Sequence, residues 1–541
     1  MMTSLVARRT DDGWKASLSA QASPEAPGLP QASLAGRAKA WELARDLGRT
    51  RSPWQLECQK AALGSPEITL GYAHLLAEGC EAGAAQASER SLSVPALYAD
   101  ARVVNRELAC RGLARQGLAR AQALLDRLRF LVAATGAAAS LVAYTLTVGR
   151  RMRGAAAPVA GDTALALHGE RATRTQHLLK AGIEQARPCC IVVIGRLRTS
   201  LATLREEWAA MAGAPVPRLV HPFSATAAVR AVPRMLRLLA EGWREAPRHH
   251  YLPGAREHLA IVFRVLLGAA MEQWWKMHGT AVDTVFFGHT GVADTTALEA
   301  AMQARGTRTI HVVHGLATGP NFPGFSDVAW FRCGFDAEQY ARLGTYGECL
   351  VQEAPAPQPV RGREGIYLLT NLAHPMNPGF IARGPEDEIA LLRLVAAAAR
   401  KLGPPGQRML WRPHPVLRRL PADVSAQIRQ EASRLGFVEQ DHAEPMGPAA
   451  AGARWVITSP STTAIDLLVQ GTLCVVVDLQ ESAAGTAPAQ FPCPPAHPDA
   501  LGALLRELDE DATYQARFTE VWNSVRPARP LDLARPPSNG A

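Results

Sequence analysis

The sequence predicts an α/β protein: two doubly wound parallel-sheet units facing a cleft, with a helical extension ahead of them. Three observations carry this. Short continuous apolar runs alternate with helix-period segments, which is how parallel strands buried on both faces read. The alternation stops at a Pro-rich stretch, 352–363, and then restarts. The chain has 541 residues, more than one core ordinarily holds.

Residues 1–35 are rich in Ala, Ser, Pro and Gly and are expected to form a disordered tail. From 36 to 160 the pattern is helical, with Leu, Ala and Arg at three- and four-residue spacing, as around Arg106–Leu118. Phe130–Val148 carries no charge and is flanked by Arg127, Arg129, Arg150 and Arg151. Its length approaches the roughly 20 residues a membrane span needs. Its Ala, Gly, Ser and Thr content favours a buried helix, with membrane insertion as the alternative. Gly154–Asp162 reads as a linker.

The first α/β unit is expected over 161–355, with strands at Cys190–Gly195, Arg218–Pro222, Val285–Gly291 and Thr309–Gly315 and a helix over 294–305. The second is expected over 364–525. Its strands are Gly365–Thr370, Met409–Pro415, Trp455–Ser459 and Leu473–Asp478, and its helices are 385–402, 425–435 and 463–470. A loose tail is expected from 526 to 541.

Composition narrows the class. Hydrophobic content is 48% and charged content 20%, as in ordinary soluble proteins. The net charge of +9 comes without a dense lysine block, so no nucleic-acid partner is expected. Nine cysteines lack Cys-x-x-Cys spacing, which points to a reduced, cytoplasmic setting without a structural zinc. The first ten residues lack the apolar core of a signal peptide. Walker A, Gly-x-Gly-x-x-Gly and Gly-x-Ser-x-Gly patterns are missing, which weakens ATPase, dehydrogenase and hydrolase readings.

In open parallel sheets, ligands sit outside the carboxyl ends of the strands. The expected strand-end loops hold Gly288–Gly291, His314–Gly315, Asn371–Pro375, Arg412–Pro415 and Ser459–Thr463, and four of the five contain a histidine. His414 lies between two prolines, which restrict its backbone and pre-aim its side chain. His414 can donate to a phosphate oxygen, and Arg412 can add a bidentate contact. The run Ser459, Pro460, Ser461, Thr462, Thr463 places hydroxyls at a helix start, where they serve either an anion or ordinary capping. Asp466 can hold ribose hydroxyls or favour the helix N-terminus. His289, in a Gly-flanked turn, is a second base candidate and His374 can touch donor or acceptor, an ordinary loop role being favoured for each. With no Asp-x-Asp triplet at a strand end, a metal-independent reaction is expected.

These motifs resemble the GT-B-fold transferases of bacterial surface polysaccharides, namely capsule glycosyltransferases, polysialyltransferase-like enzymes and CDP-glycerol glycerophosphotransferases. The resemblance covers roughly 280–480 and rests on Arg412-Pro-His-Pro, Ser459-Pro-Ser-Thr-Thr, the Thr462–Gly471 run and His314-Gly315. It implies that His414, Ser461 and Thr462 hold the phosphate of a nucleotide donor, CMP- or UDP-linked, which is a substrate and not a cofactor. His314 faces it from the first unit, as general base toward a glycan or lipid-linked acceptor hydroxyl or as a phosphate contact. Two departures stand out. Ser459 replaces the acidic residue of the glycerophosphotransferases, and the acidic-acidic-Gly base motif of the sialyltransferases is missing, Asp294 being the nearest substitute. The implied function is transfer of a sugar or sugar-phosphate to a capsule or lipopolysaccharide glycan, with peripheral contact at the inner face of the plasma membrane. An epimerase of UDP-sugars and a non-catalytic assembly protein are the competing classes.

Overall fold

The computed structural model describes residues 4–10, 13–19, 54, 92–95, 116–151, 161–168, 178, 190–194, 201–216, 218–246, 255–278, 282–288, 293–313, 326–343, 346–370, 385–402, 407–442, 444–479 and 491–529. The expectation of a disordered tail over 1–35 is corrected at its start. Strand β1 (Ser4–Thr10) pairs antiparallel with β2 (Gly13–Ser19) and with β3 (Leu92–Pro95). Two seven-residue stretches joined by Asp11-Asp12 close as a hairpin, with Leu5 opposite Leu18 and Arg9 opposite Trp14. The Ala and Ser content hides that pairing from a composition argument. β3 likewise interrupts the expected helical region.

Within that region the long helix α1 (Gln116–Arg151) does form. Phe130, Ala133, Ala137, Leu141 and Val148 are buried at three-, four- and seven-residue intervals, a single stripe along one face. The opposite face is exposed. The Phe130–Val148 stretch is therefore half covered: it is neither a fully buried helix nor a free rod.

The first large sheet is parallel throughout. Its strands are β4 (Gly161–His168), β5 (Cys190–Ile194), β6 (Leu219–Val220), β7 (Val282–Phe287), β8 (Arg308–Val312), β9 (Val328–Trp330) and β10 (Glu348–Leu350). Their order is β10-β9-β8-β7-β4-β5-β6. β4, the central strand, is unannounced by its sequence, because Ala-Leu-Ala-Leu has no β-branched residue and suits a helix. Burial decides it: Ala164 to Leu167 are fully inaccessible between β5 and β7. Helices α2 (Leu201–Ala212), α3 (Ala225–Glu245), α4 (Ala255–His278), α5 (Ala293–Gln303) and α6 (Gly334–Leu343) belong to this unit.

The second sheet has β11 (Glu364–Leu369), β12 (Met409–Arg412), β13 (Phe437–Glu439), β14 (Ala453–Thr458) and β15 (Cys474–Val476), all parallel, in the order β13-β12-β11-β14-β15. Its helices are α7 (Pro385–Leu402), α8 (Ala422–Leu435), α9 (Met446–Gly452), α10 (Thr463–Val469), α11 (Pro498–Glu507) and α12 (Asp511–Val525). In both sheets the chain starts in the middle, builds one side, then crosses back to build the other. The expected fold class therefore holds: two Rossmann-like units built on parallel sheets, with a helical element in front.

Two segments cross between the units. One is the Pro-rich connection. The other is the chain after α12, expected to be loose from 526. Residues 526–529 are instead bonded into the first unit: Gly334 N donates to Arg526 O at 2.9 Å, Ala354 N to Pro527 O at 2.8 Å, Ala528 N to Arg332 O at 2.7 Å and Arg529 N to Gln352 O at 2.6 Å. The Arg526 guanidinium pairs with Glu338. Pro-rich composition signalled the end of helix but could not show that the freed backbone groups find partners across the junction.

The His221 ring ends β6 in a wholly buried position. Tyr144 of α1 lies 3.4 Å from its Nε2, and its Nδ1 has no hydrogen-bond partner among the described residues. Burial holds its imidazole down at about 4. The folded protein therefore refuses a proton that the unfolded chain accepts below about 6.5. Stability is full above that value and falls as pH drops from about 6.5 to about 4, by at most about 3 kcal/mol. Urea melts at pH 7 and pH 5 should show this loss, and His221→Leu should remove most of it; an unchanged difference would acquit His221. Truncation after Val525 removes the four backbone bonds above and should cost about 4 kcal/mol, read as a lowered Tm. An unaltered melting curve would show that the returning segment is not a fastening.

Candidate functional site

The carboxyl ends of β11 and β14 lie side by side, and there the strand order reverses. The backbone ladder continues past both strands: Thr370 N donates to Arg412 O at 3.2 Å, and Ser459 N to Leu369 O at 3.2 Å. A crevice of this kind is where open α/β sheets hold ligands. On its floor Thr370 is buried; Trp411 Nε1 donates to Thr370 Oγ1 at 3.0 Å, and that hydroxyl donates to the carboxylate of buried Glu388 in the first turn of α7. Glu388, Thr370 and Trp411 come from three different elements and tie the mouth of the crevice together. The sequence reading missed this triad, since nothing in the chain pairs residue 370 with residue 388.

The hydroxyl run forms the β14 wall. Ser459 and Pro460 are buried, while Ser461, Thr462 and Thr463 are half-buried. Ser461 Oγ donates to Thr463 Oγ1 at 3.0 Å and accepts from Thr463 N at 3.2 Å, so it fastens the start of α10. Thr462 sits at the cap with helical backbone angles, and its side chain makes no cap bond. The Thr462 hydroxyl, not used in capping, is a polar group of this wall that can meet a ligand.

Arg412 and His414 end β12, two strands away and so roughly 10 Å across the mouth of β11. The Arg412 guanidinium faces the loop after β13. It donates to Gln440 Oε1 at 3.0 Å, Glu444 O at 2.8 Å and His442 O at 3.3 Å. The buried Tyr367 hydroxyl also donates to Gln440, and burial pushes it up to about 12, so it stays a neutral donor. Arg412 thus braces a loop of backbone carbonyls. His414 is exposed at the head of the turn Pro415–Arg419, with its carbonyl accepting from Leu417 N at 2.9 Å.

Asp466, one turn into α10, forms an ion pair with Arg332. Arg332 follows β9 and so lies at a carboxyl end of the first sheet. The carboxyl-end loops of the two sheets meet at this pair, which places the first unit over the hydroxyl wall of the second. Sequence reading found Asp466 but not its partner, 134 residues earlier. His289, His314 and His374 lie outside the described residues, as does the side chain of Asp294, whose backbone opens α5. The described chain reaches Gly288 after β7 and Val313 after β8, one residue short of His289 and His314 respectively. A small cavity lined by Arg361, Trp455 and Tyr514 lies at the amino ends of β14 and β15, on the far side of the sheet from this crevice.

No protein-family model matches the sequence, and no curated protein matches it. Among solved structures the chain is similar to the S. aureus MnaA–UDP co-structure, at 14% identity over 69% of this chain and 94% of that one, with TM-score 0.38. It is also similar to HepE from Anabaena in complex with UDP and glucose, at 10% identity over 68% and 96%, TM-score 0.39. A third is Acinetobacter baumannii MurG, at 13% identity over 68% and 96%, TM-score 0.35.

The Arg332–Asp466 pair is about one-third exposed on each side, so its coupling is expected to be small. A double-mutant cycle with Arg332→Ala and Asp466→Ala, read by denaturant melts, should give about 0.5–1 kcal/mol. Strict additivity would show that the two loops meet without attracting one another.

Proposed function

We propose that the chain is a glycosyltransferase. It moves a sugar, or a sugar-phosphate, from a nucleotide-activated donor to a growing capsule or lipopolysaccharide glycan in the cytoplasm, by a metal-independent route. The observation that carries this reading is the Arg332–Asp466 pair, which brings the carboxyl-end loops of the two sheets together over the switch point of the second. A two-substrate reaction needs such a junction, with donor and acceptor held by different units.

In this reading the donor phosphate lies on the second unit. Thr462 is its hydroxyl contact, and Ser459, Ser461 and Thr463 shape the wall. His414 reaches it from the β12 side, while Arg412 keeps the loop beside it in place. Asp466, held by Arg332, lies within reach of a ribose. The acceptor hydroxyl gives its proton to His314, with His289 and Asp294 as the other bases on the first unit. The new bond forms at the sugar carbon as the bond to the phosphate oxygen breaks. The electron pair leaves with the nucleotide, where hydrogen-bond donors and positive charge stabilise it. Histidine suits both tasks because it exchanges a proton near neutral pH.

The buried Glu388 and the cleft-side Asp466 keep a second reading, a UDP-sugar epimerase, in play, since that chemistry needs acidic groups at the cleft. The two differ in product: transfer releases nucleotide in step with acceptor, whereas epimerisation leaves the nucleotide sugar intact.

The test is a panel of CMP- and UDP-sugars added to the purified chain with melting temperature as readout, followed by product analysis with glycan acceptor. One donor should raise Tm, by about 2.7 kcal/mol of added stability at a hundredfold excess over Kd. Thr462→Ala should weaken that donor about tenfold, about 1.4 kcal/mol. His314→Ala should leave binding intact and lower turnover by about 10²–10⁴-fold. No shift with any donor, or full turnover in His314→Ala, would sink the transferase reading.

A further inference from the structure

We propose that the outer faces of α1 and α3 form a docking surface for a bilayer carrying anionic lipid. This does not rest on the transferase reading. The first observation is α1. Within Ala123–Val148, 26 residues, the most apolar 18-residue window has a mean hydropathy of 1.7, long and apolar enough to cross a membrane, yet only 22% of that window is buried. Leu128, Leu131, Val132, Val142 and Leu146 face outward, Val132 at 68% and Leu146 at 63% exposure. From Leu131 to Leu146 there is no charged residue, a run of about 23 Å at 1.5 Å per residue. Exposed apolar surface on that scale marks an interaction site.

The second observation is α3. Ala227, Ala231, Met235, Leu238 and Gly242 fill its buried stripe. The opposite face exposes Val229 at 70% and Leu236 at 61%, with Val232 between them. Beside this apolar strip runs a row of exposed arginines, Arg230, Arg234 and Arg237. An apolar strip edged by basic residues is the pattern of a helix lying in a membrane interface. The two helices are joined: Trp54 sits 5.4 Å from the Phe130 ring of α1, donates its Nε1–H to Leu238 O of α3, and packs where a Cβ on Gly242 would fall.

The geometry excludes α1 as a span. Its inner stripe is fastened to the α/β unit. Tyr144 meets Phe223 and Phe263 edge-on at 5.1 and 6.0 Å, and a Cβ on Gly136 would lie 3.0 Å from Leu259 of α4. A helix fixed on one side can lie on a bilayer but cannot leave the domain to cross it. The charge pattern also selects the occupant. Three exposed arginines in a row beside the apolar strip are attracted together by an anionic leaflet. The exposed Thr135 and Thr147 hydroxyls of α1 donate back to the Leu131 and Ala143 carbonyls of their own helix, which suits contact with a bilayer that sets no register.

The test is co-sedimentation of the full chain with phosphatidylcholine vesicles, with and without phosphatidylglycerol, at low and high salt. Binding should require phosphatidylglycerol and weaken with salt. Arg230→Ala, Arg234→Ala and Arg237→Ala combined should weaken it on the order of 100-fold, about fivefold for each basic side chain. Val132→Ser with Leu146→Ser should weaken it at least about tenfold, from lost apolar burial. All five positions are exposed, so the melting temperature should not move. Three results would overturn the proposal: no vesicle binding, binding indifferent to either set of substitutions, or a soluble dimer or protein complex that Val132→Ser with Leu146→Ser dissolves.

Discussion

Parallel pairing is the constraint on which the rest depends. Parallel strands must be connected by crossovers, so all the loops at one edge of a sheet leave from carboxyl ends. With β11 in the middle and its neighbours built first to one side and then to the other, the strand order reverses between the carboxyl ends of β11 and β14, the position where open α/β sheets hold ligands. The hydroxyl wall, buried Thr370 and the turn carrying His414 are all consequences of that one topology. None of these residues is near the others in sequence. The ladder brings them to one edge, and the Thr370, Glu388 and Trp411 bonds hold the edge in shape.

The junction between the units is built from backbone as much as from side chains. The segment after α12 returns to the first unit and is bonded on both sides, to 332–334 and to 352–354. Arg332 therefore belongs to two contacts. Its carbonyl accepts from Ala528, and its guanidinium holds Asp466 beside the hydroxyl wall. The fastening of the chain end and the approach of the two carboxyl edges share one residue.

The surface away from the crevice follows a different logic. α1 spends one stripe on the core and leaves the other uncharged from Leu131 to Leu146, while the outer face of α3 sets exposed Val229, Val232 and Leu236 beside exposed arginines. Trp54 joins the two helices, touching Phe130 of α1 and donating to the Leu238 carbonyl of α3.

What the sequence determined by itself was periodicity. Cys190–Ile194 and Cys474–Val476 are continuous apolar runs, and Pro385–Leu402 repeats with a helical period, so each was legible within a residue or two. The strand-end position of Arg412, His414 and Ser459–Thr463 was legible for the same reason. Partnership was not. β4 goes unread until its neighbours bury it, and the hairpin of β1 and β2 reads as tail until its two halves pair. Arg412 reads as a ligand for phosphate until the 440–444 carbonyls take its donors, and Asp466 reads as a lone acid until Arg332 arrives. Local pattern is written in neighbouring residues and can be read there. The partner of a charge, a hydroxyl or a central strand lies tens to hundreds of residues away, and only the folded chain chooses it.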